Sequence, residues 1–181
     1  MAFSTEEIKS NLTTLAVKWG VRRGYEKGEA QTFLNEFFAC FGPEVAEQAT
    51  FEEHTSDGGF IDCLIPGLVV VEMKSAKEAG KLEKHRKQVL DYWKGLSDPS
   101  QNKASPPYVI LCAFTKFEIW EPGRFPNDPV LVVDLDDVPA HFAAFSFLLG
   151  DDPVYDANDE EVTIEAAKEL VGIACERGAT V

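Results

Sequence analysis

The fold is decided by residues 60–75, which read FIDCLIPGLVVVEMKS. Two short apolar runs flank Pro66-Gly67, a dipeptide that favours a tight turn, so the stretch predicts a β-hairpin of two largely buried strands. Charged side chains interrupt it at Asp62 in the first strand and at Glu72 and Lys74 at the end of the second. Because burying a charge is costly unless it is paired or bound to an ion, these side chains need partners.

The three charged side chains are expected to meet at one end of the sheet. Side chains alternate along a strand, so Glu72 and Lys74 share a face, and the hairpin can fold Asp62 back beside them. Hard cations such as Mg²⁺ take oxygen ligands, with waters and substrate phosphate completing the coordination. Asp62 and Glu72 therefore predict a Mg²⁺ site for phosphodiester hydrolysis, with the Met73 backbone carbonyl as a third ligand and Mn²⁺ as a substitute. Lys74 would orient a water or offset charge in the transition state.

The spacing of these residues, with nine positions between Asp62 and Glu72 and one between Glu72 and Lys74, resembles the catalytic motif of the PD-(D/E)XK nucleases. It resembles more closely the amino-terminal endonuclease domain of MmeI-like restriction-modification enzymes. The bare motif has many chance matches, so the surrounding sequence carries the resemblance. Similar segments follow in matching order: FLNEFF at 33–38, QVLDY at 88–92, YVILC at 108–112 and IEAAKEL at 164–170.

The resemblance implies an α/β fold in which a mixed β-sheet of about four or five strands is flanked by helices and followed by a helical extension. It implies a Mg²⁺-dependent DNA endonuclease within a restriction-modification protein. Gln88 with Tyr92 matches a Gln-x-x-x-Tyr motif whose glutamine supports the catalytic site. Glu36 matches a glutamate that joins the metal site from a preceding helix, with a flanking surface glutamate as the alternative.

The partners implied by the resemblance are DNA and the methyltransferase and target-recognition domains of the same or an associated chain, and dimerisation during cleavage stays open. The 181 residues contain neither an Asn-Pro-Pro-aromatic methyltransferase motif nor a glycine-rich cofactor loop. We therefore do not expect methylation of DNA by these residues. We expect the nuclease to be latent without the other domains.

The net charge of −14 argues against a DNA enzyme, because affinity for a polyanion comes largely from lysine and arginine. The charge is distributed unevenly along the chain. Residues 121–181 hold 14 acidic and 3 basic side chains, whereas residues 74–94 hold 7 basic and 3 acidic ones. The charge leaves a second hypothesis open, a non-catalytic acidic interaction module that uses a nuclease-like scaffold.

Periodicity and turn signals place the remaining elements along the chain. The pattern predicts a nuclease domain at 1–137 and an acidic helical extension at 138–181 that leads toward a connector. The predicted helices cover 4–19, 29–41, 79–96, 140–149 and 162–177. The first of them begins with STEE at 4–7, which has the form of a capping box. The predicted strands outside the hairpin cover 49–54, 108–113, 117–120 and 130–133.

Composition limits the expected cellular location and the expected state of the cysteines. No run of eighteen apolar residues and no signal peptide occurs, so we expect no membrane association and a cytoplasmic location in a prokaryote. The four cysteines are widely separated in apolar contexts, which favours reduced, buried thiols over zinc ligands or disulfides.

Overall fold

One six-stranded sheet organises the protein, whose computed structural model describes residues 3–21, 26–54 and 60–156. The strands are β1 (Thr50–His54), β2 (Phe60–Ile65), β3 (Val69–Met73), β4 (Tyr108–Cys112), β5 (Lys116–Trp120) and β6 (Leu131–Asp134). The α-helices are α1 (Thr5–Gly20), α2 (Glu26–Ala39), α3 (Pro43–Glu47) and α4 (Arg86–Gly95). Short 3₁₀ segments cover Ala76–His85, Pro99–Gln101, Leu135–Asp137 and Phe142–Leu149. The predicted helix at 162–177 lies outside the described residues.

The sheet is mixed, which confirms the predicted α/β class. Its strands lie in chain order, and neighbouring strands run antiparallel except for the parallel pair β3 and β4. The chain crosses from β3 to β4 through the 3₁₀ segment Ala76–His85 and helix α4. The sheet has six strands rather than the expected four or five, because β1 and β6 both pair as edge strands.

The predicted hairpin forms β2 and β3. Leu68 N donates to Ile65 O at 3.0 Å and closes a four-residue turn around Pro66 and Gly67. Gly67 has φ +74°, the left-handed conformation that the third position of a type II turn requires and that glycine adopts without a Cβ clash. The Pro-Gly dipeptide thus fixes the register of the two strands that carry the charged residues.

Helices and segments cover both faces of the sheet. On one face, α1, α2 and the 3₁₀ segment Phe142–Leu149 pack a large aromatic core. On the other face, the 3₁₀ segment Ala76–His85 and α4 insert Leu82 and Val89 against a smaller cluster. The strand residues of this smaller cluster are Ile61, Val70, Val109, Leu111 and Trp120, and Ala113 joins it from the turn after β4.

Local signals set the helix boundaries. Ser4 caps α1 with the predicted capping box, in which Ser4 Oγ accepts from Glu7 N and the Glu7 carboxylate accepts from Ser4 N. Helix α2 begins at Glu26, three residues before the predicted start. The predicted helix at 79–96 is instead a 3₁₀ segment followed by α4, with a non-helical break at Lys81.

The hydrophobic core continues past residue 138, where the sequence predicts the nuclease domain to end. Phe145 lies in the same cluster as α1 and α2, and its ring contacts Phe37 at 5.3 Å and Phe117 at 5.8 Å between centroids. Gly150, with φ +86°, ends the 3₁₀ segment Phe142–Leu149. No helix in the described ranges is long and apolar enough to cross a membrane.

The cysteines that the structure describes are free and buried, as predicted for Cys40, Cys63 and Cys112. Burial raises the pKa of Cys40 to about 12, with a smaller contribution from the charge of Glu36. Burial likewise raises the pKa of Cys63 and Cys112. Since the thiolate is the reactive form, these side chains act as small apolar groups of the core.

Replacing Phe37 with alanine should lower the free energy of unfolding by about 3–5 kcal/mol, because it removes a fully buried ring and leaves a cavity. The Phe37 ring packs against Phe117 at 5.1 Å and Phe41 at 5.4 Å between centroids. The matched control is Phe125→Ala, whose side chain is 48% exposed and should change stability by less than about 0.5 kcal/mol. Urea denaturation measures both, and equal effects would contradict this core assignment.

Candidate active site

Asp62 is held against β3 at the point where β2 and β3 separate. The backbone pairing of these strands extends only to Cys63 and Val71, and the same register would next oppose Asp62 and Glu72. Instead, the Asp62 carboxylate occupies the gap, where Oδ2 accepts from Met73 N at 2.7 Å. Because that N–H belongs to the peptide joining Glu72 to Met73, the hydrogen bond fixes the Asp62 carboxylate beside the end of β3.

Glu72 and Lys74 form a buried ion pair at the end of β3. Lys74 Nζ lies 2.6 Å from Glu72 Oε1, and the two residues are only 7% and 4% exposed. Lys74 N donates to Cys112 O at 2.7 Å, so its backbone continues the parallel pairing with β4. The structure thus brings Asp62, Glu72 and Lys74, the three charged residues that the sequence grouped, to one end of the hairpin.

The donor chemistry of this end fits a small hard cation. Asp62 and Glu72 supply carboxylate oxygens, and Mg²⁺ commonly takes one or two carboxylates from a protein while waters and phosphate oxygens fill its other positions. Among the described residues, no three acidic, histidine or cysteine side chains group closely enough to hold a metal. Any cation here would therefore depend on two carboxylates and on backbone or solvent oxygens.

Glu36 does not join the two carboxylates. Its Oε1 accepts from Lys18 Nζ at 2.6 Å and its Oε2 accepts from Trp19 Nε1 at 2.8 Å. Both partners belong to α1, so the Glu36 carboxylate links α1 to α2. The metal-ligand role that the resemblance implied for Glu36 finds no support in this placement.

Gln88 lies on the exposed side of α4. Its Nε2 donates to Tyr92 Oη at 2.9 Å, which joins the two residues of the predicted Gln-x-x-x-Tyr motif. Both residues line an open groove with Lys84, Lys87 and Asp91. A supporting role for Gln88 at the metal site stays a prediction, because the structure shows no contact between its side chain and the described residues at the end of β3.

Sequence reasoning missed a second ion pair on the same face of the sheet, between the buried Glu118 carboxylate and the partly exposed Arg86 guanidinium. Arg86 forks onto Glu118 with Nε–Oε2 and Nη2–Oε1 distances of 2.9 and 2.8 Å, and Glu118 is 3% exposed. The hydrogen bonds to Glu118 raise the pKa of Arg86. Leu111 of β4 pairs with Glu118 of β5 on one side and with Glu72 of β3 on the other. The two glutamates therefore lie on the same face of the sheet, with one strand between them. The pair thus anchors the start of α4 to the candidate site's sheet.

Glu121 forms a further polar cluster at the far end of β5. The buried carboxylate accepts from Arg124 Nη1 at 3.0 Å and from the Tyr155 hydroxyl. Burial, and then the hydrogen bond to Glu121, raise the pKa of Tyr155. Arg124 and Tyr155 also line a surface cavity of about 450 Å³. The available sequence signal was a glutamate inside an apolar strand for Glu118 and a glutamate directly after that strand for Glu121.

The fold and this site define an α/β domain with a buried acid–lysine centre where a hairpin strand meets a parallel neighbour. The family model of the MmeI N-terminal domain matches residues 10–173. The chain therefore belongs to the MmeI N-terminal domain family, whose namesake is a restriction-modification enzyme, as the sequence resemblance predicted. No curated protein and no solved structure matches the chain.

Replacing Arg86 with alanine should lower the free energy of unfolding by about 2–3 kcal/mol, because it removes the donors that satisfy a buried carboxylate. The control is Lys87→Ala on the same helix. Lys87 is 87% exposed, so its pair with Asp91 contributes little to stability. Adding Glu118→Leu to Arg86→Ala should recover part of the loss. Urea denaturation tests this series, and equal midpoints for the two single variants would contradict an anchoring role.

Proposed function

We propose that this domain is a Mg²⁺-dependent DNA endonuclease of the PD-(D/E)XK type that acts within a restriction-modification protein. The observation that carries the proposal is the hydrogen bond from Met73 N to Asp62 Oδ2, which holds a second carboxylate at the Glu72 end of β3. The buried Glu72–Lys74 pair completes the acid–lysine set. Membership of the MmeI N-terminal domain family supports the restriction-modification setting and the cytoplasmic location that goes with it.

Asp62 and Glu72 would hold the Mg²⁺ ion, with the Met73 carbonyl as a further ligand. When bound, such an ion polarises the scissile phosphate and lowers the pKa of a coordinated water. The carboxylates come from two adjacent strands of one hairpin, so the fold itself sets their positions. Mn²⁺ would substitute for Mg²⁺ because it also accepts carboxylate and water ligands.

Lys74 would place a positive charge beside the reacting phosphate. Its ammonium group is fixed at 2.6 Å from Glu72 Oε1, and its backbone is fixed by Cys112 O. A cation held in a mostly buried site stabilises developing negative charge more strongly than one in water, and it costs little reorganisation. Lys74 would also donate a hydrogen bond to orient the attacking water.

Charge distribution favours one alternative, the non-catalytic acidic interaction module. Residues 121–181 carry 14 acidic and only 3 basic side chains, which is unfavourable for holding a polyanion at that part of the chain. Such a module would need no cation. Metal binding therefore separates the two functions without requiring any catalytic turnover.

Glu72→Gln and Lys74→Met should each reduce Mg²⁺-dependent nicking of supercoiled plasmid by about 10²-fold or more, because each removes a charge that acts on the reacting phosphate. Excess protein and low salt compensate for the weak DNA binding expected of a chain with net charge −14. The controls Glu47→Gln and Lys9→Met make the same changes at other positions and should nick at the wild-type rate. Thermal unfolding, followed by circular dichroism, checks that each variant is folded. Nicking at the wild-type rate by Glu72→Gln or Lys74→Met would contradict the assignment of these residues to the active site.

Calorimetric titration with Mn²⁺ should show saturable binding to the wild-type chain and its loss in Asp62→Asn. Asparagine retains an oxygen that can accept from Met73 N, so the variant removes the ligand charge while keeping the local hydrogen bond. The control is Glu36→Gln, which should bind Mn²⁺ like the wild type because Glu36 interacts with Lys18 and Trp19. Failure of the wild-type chain to bind Mn²⁺ would favour the acidic interaction module instead.

A further inference from the structure

The crossover between β3 and β4 concentrates positive charge in a chain that is strongly acidic overall. Residues 74–94 hold 7 of the 17 lysine and arginine side chains and only 3 acidic ones. Five of the lysines are exposed on the 3₁₀ segment Ala76–His85 and α4, and together they define the crossover surface. They are Lys77, Lys81, Lys84, Lys87 and Lys94.

Packing directs this surface outward. Leu82 and Val89 are buried against the sheet, so they fix the inner side of the crossover. The lysines occupy the opposite side, where Lys84 and Lys87 line an open groove of about 460 Å³. The charge is therefore a consequence of how the crossover packs, and it points away from the core.

Most of this charge is not neutralised within the protein. Among the described residues, Lys77, Lys81, Lys84 and Lys94 form no ion pair within 4.0 Å, in contrast to Lys87, which pairs with Asp91. The nearby Glu78 is engaged by His85 at 3.0 Å. That hydrogen bond is the main cause of the lowered pKa of Glu78. Four lysine charges thus remain available to an external anion.

The crossover surface lies on the outer side of the segment that leaves the candidate active site. The 3₁₀ segment begins at Ala76, two residues after Lys74, and together with α4 it covers the sheet face on which Glu72 and Glu118 lie. The Arg86–Glu118 fork fixes α4 to that face. A polyanion lying on the lysines would therefore contact the layer that covers the acid–lysine centre.

We infer that the crossover surface is the docking site for the phosphate backbone of duplex DNA. This inference rests on the proposed function and specifies where its substrate is held. Lys84 and Lys87 line the same groove, and duplex DNA presents one charge per roughly 1.7 Å of its axis, so several lysines can meet phosphates at once. The acidic side chains elsewhere repel a duplex and orient it toward this face.

The test is fluorescence anisotropy of a labelled duplex of roughly 20 base pairs against the full chain, in EDTA, at a series of salt concentrations. The double variant Lys81→Ala/Lys84→Ala should bind roughly 10–100-fold more weakly at about 50 mM salt. Its slope of log K against log salt should be shallower by about 2, and unrelated duplex sequences should be affected equally. Circular dichroism checks that the variant is folded.

The matched control is Lys9→Ala/Lys18→Ala, which removes the same charge from α1, a helix that packs on the opposite face of the sheet. Lys9 lies 4.7 Å from the centre of the Phe142 ring and Lys18 pairs with Glu36. An equal loss of binding in the control, or an unchanged salt slope in the Lys81/Lys84 variant, would overturn the inference. Absence of any duplex binding by the wild type would also overturn it and would point to an acidic protein partner.

The binding test and the metal test fail independently. Because the anisotropy measurement contains no divalent cation, loss of Mn²⁺ binding does not affect it. If the Lys81/Lys84 variant binds duplex DNA like the wild type while Glu72→Gln still abolishes nicking, the docking surface is wrong and the proposed function stands. If the variant loses binding while the wild type takes up no Mn²⁺, the surface stands and the metal-dependent function is wrong.

Discussion

The interaction on which the candidate site depends is the 2.6 Å ion pair between Glu72 and Lys74 inside a nearly solvent-free strand end. A carboxylate and an ammonium withdrawn from water lose much hydration energy, and their attraction offsets that loss only when their geometry is fixed. The sheet provides this fixed geometry through the parallel pairing of β3 with β4 and the bond from Lys74 N to Cys112 O. Burying these two charges is costly, so a chemical role explains the presence of the pair better than a contribution to stability does.

The opening of the hairpin is the second element of the same arrangement. If β2 and β3 stayed paired to their ends, backbone atoms would satisfy Met73 N and the Asp62 side chain would have no position between the strands. The pairing instead stops at Cys63 and Val71, and the Asp62 carboxylate takes the donor. Because β2 and β3 separate here, the Met73 N–H bonds to a side chain rather than to the backbone of β2, and this hydrogen bond positions the Asp62 carboxylate. The Pro66-Gly67 turn at the other end keeps the register that makes this possible.

Local sequence was sufficient for the hairpin, the capping box and the strands, because their signals lie within a few residues of each other. It was insufficient for contacts between distant segments. Arg86 and Glu118 are 32 positions apart, and their pairing depends on how the crossover packs over β5. Glu36 illustrates the same limit, because its helical position was predicted while its partners Lys18 and Trp19 are set by the packing of α1 on α2. Nor did apolar periodicity show the break at Lys81, where backbone geometry overrides a continuous helical pattern.

The net charge of the chain does not describe each of its surfaces, because acidic and basic side chains are concentrated in different segments of the fold. The crossover leaves β3 beside the acid–lysine centre and covers one face of the sheet on its way to β4, so its exposed charge lies on that side of the domain. Exposed charges separated by more than about 10 Å are largely screened at ordinary salt, whereas charges that contact a polyanion directly release its counterions. Lysines on the crossover would therefore act on a docked polyanion more strongly than distant acidic residues. A chain of net charge −14 can in this way carry one face that favours nucleic acid.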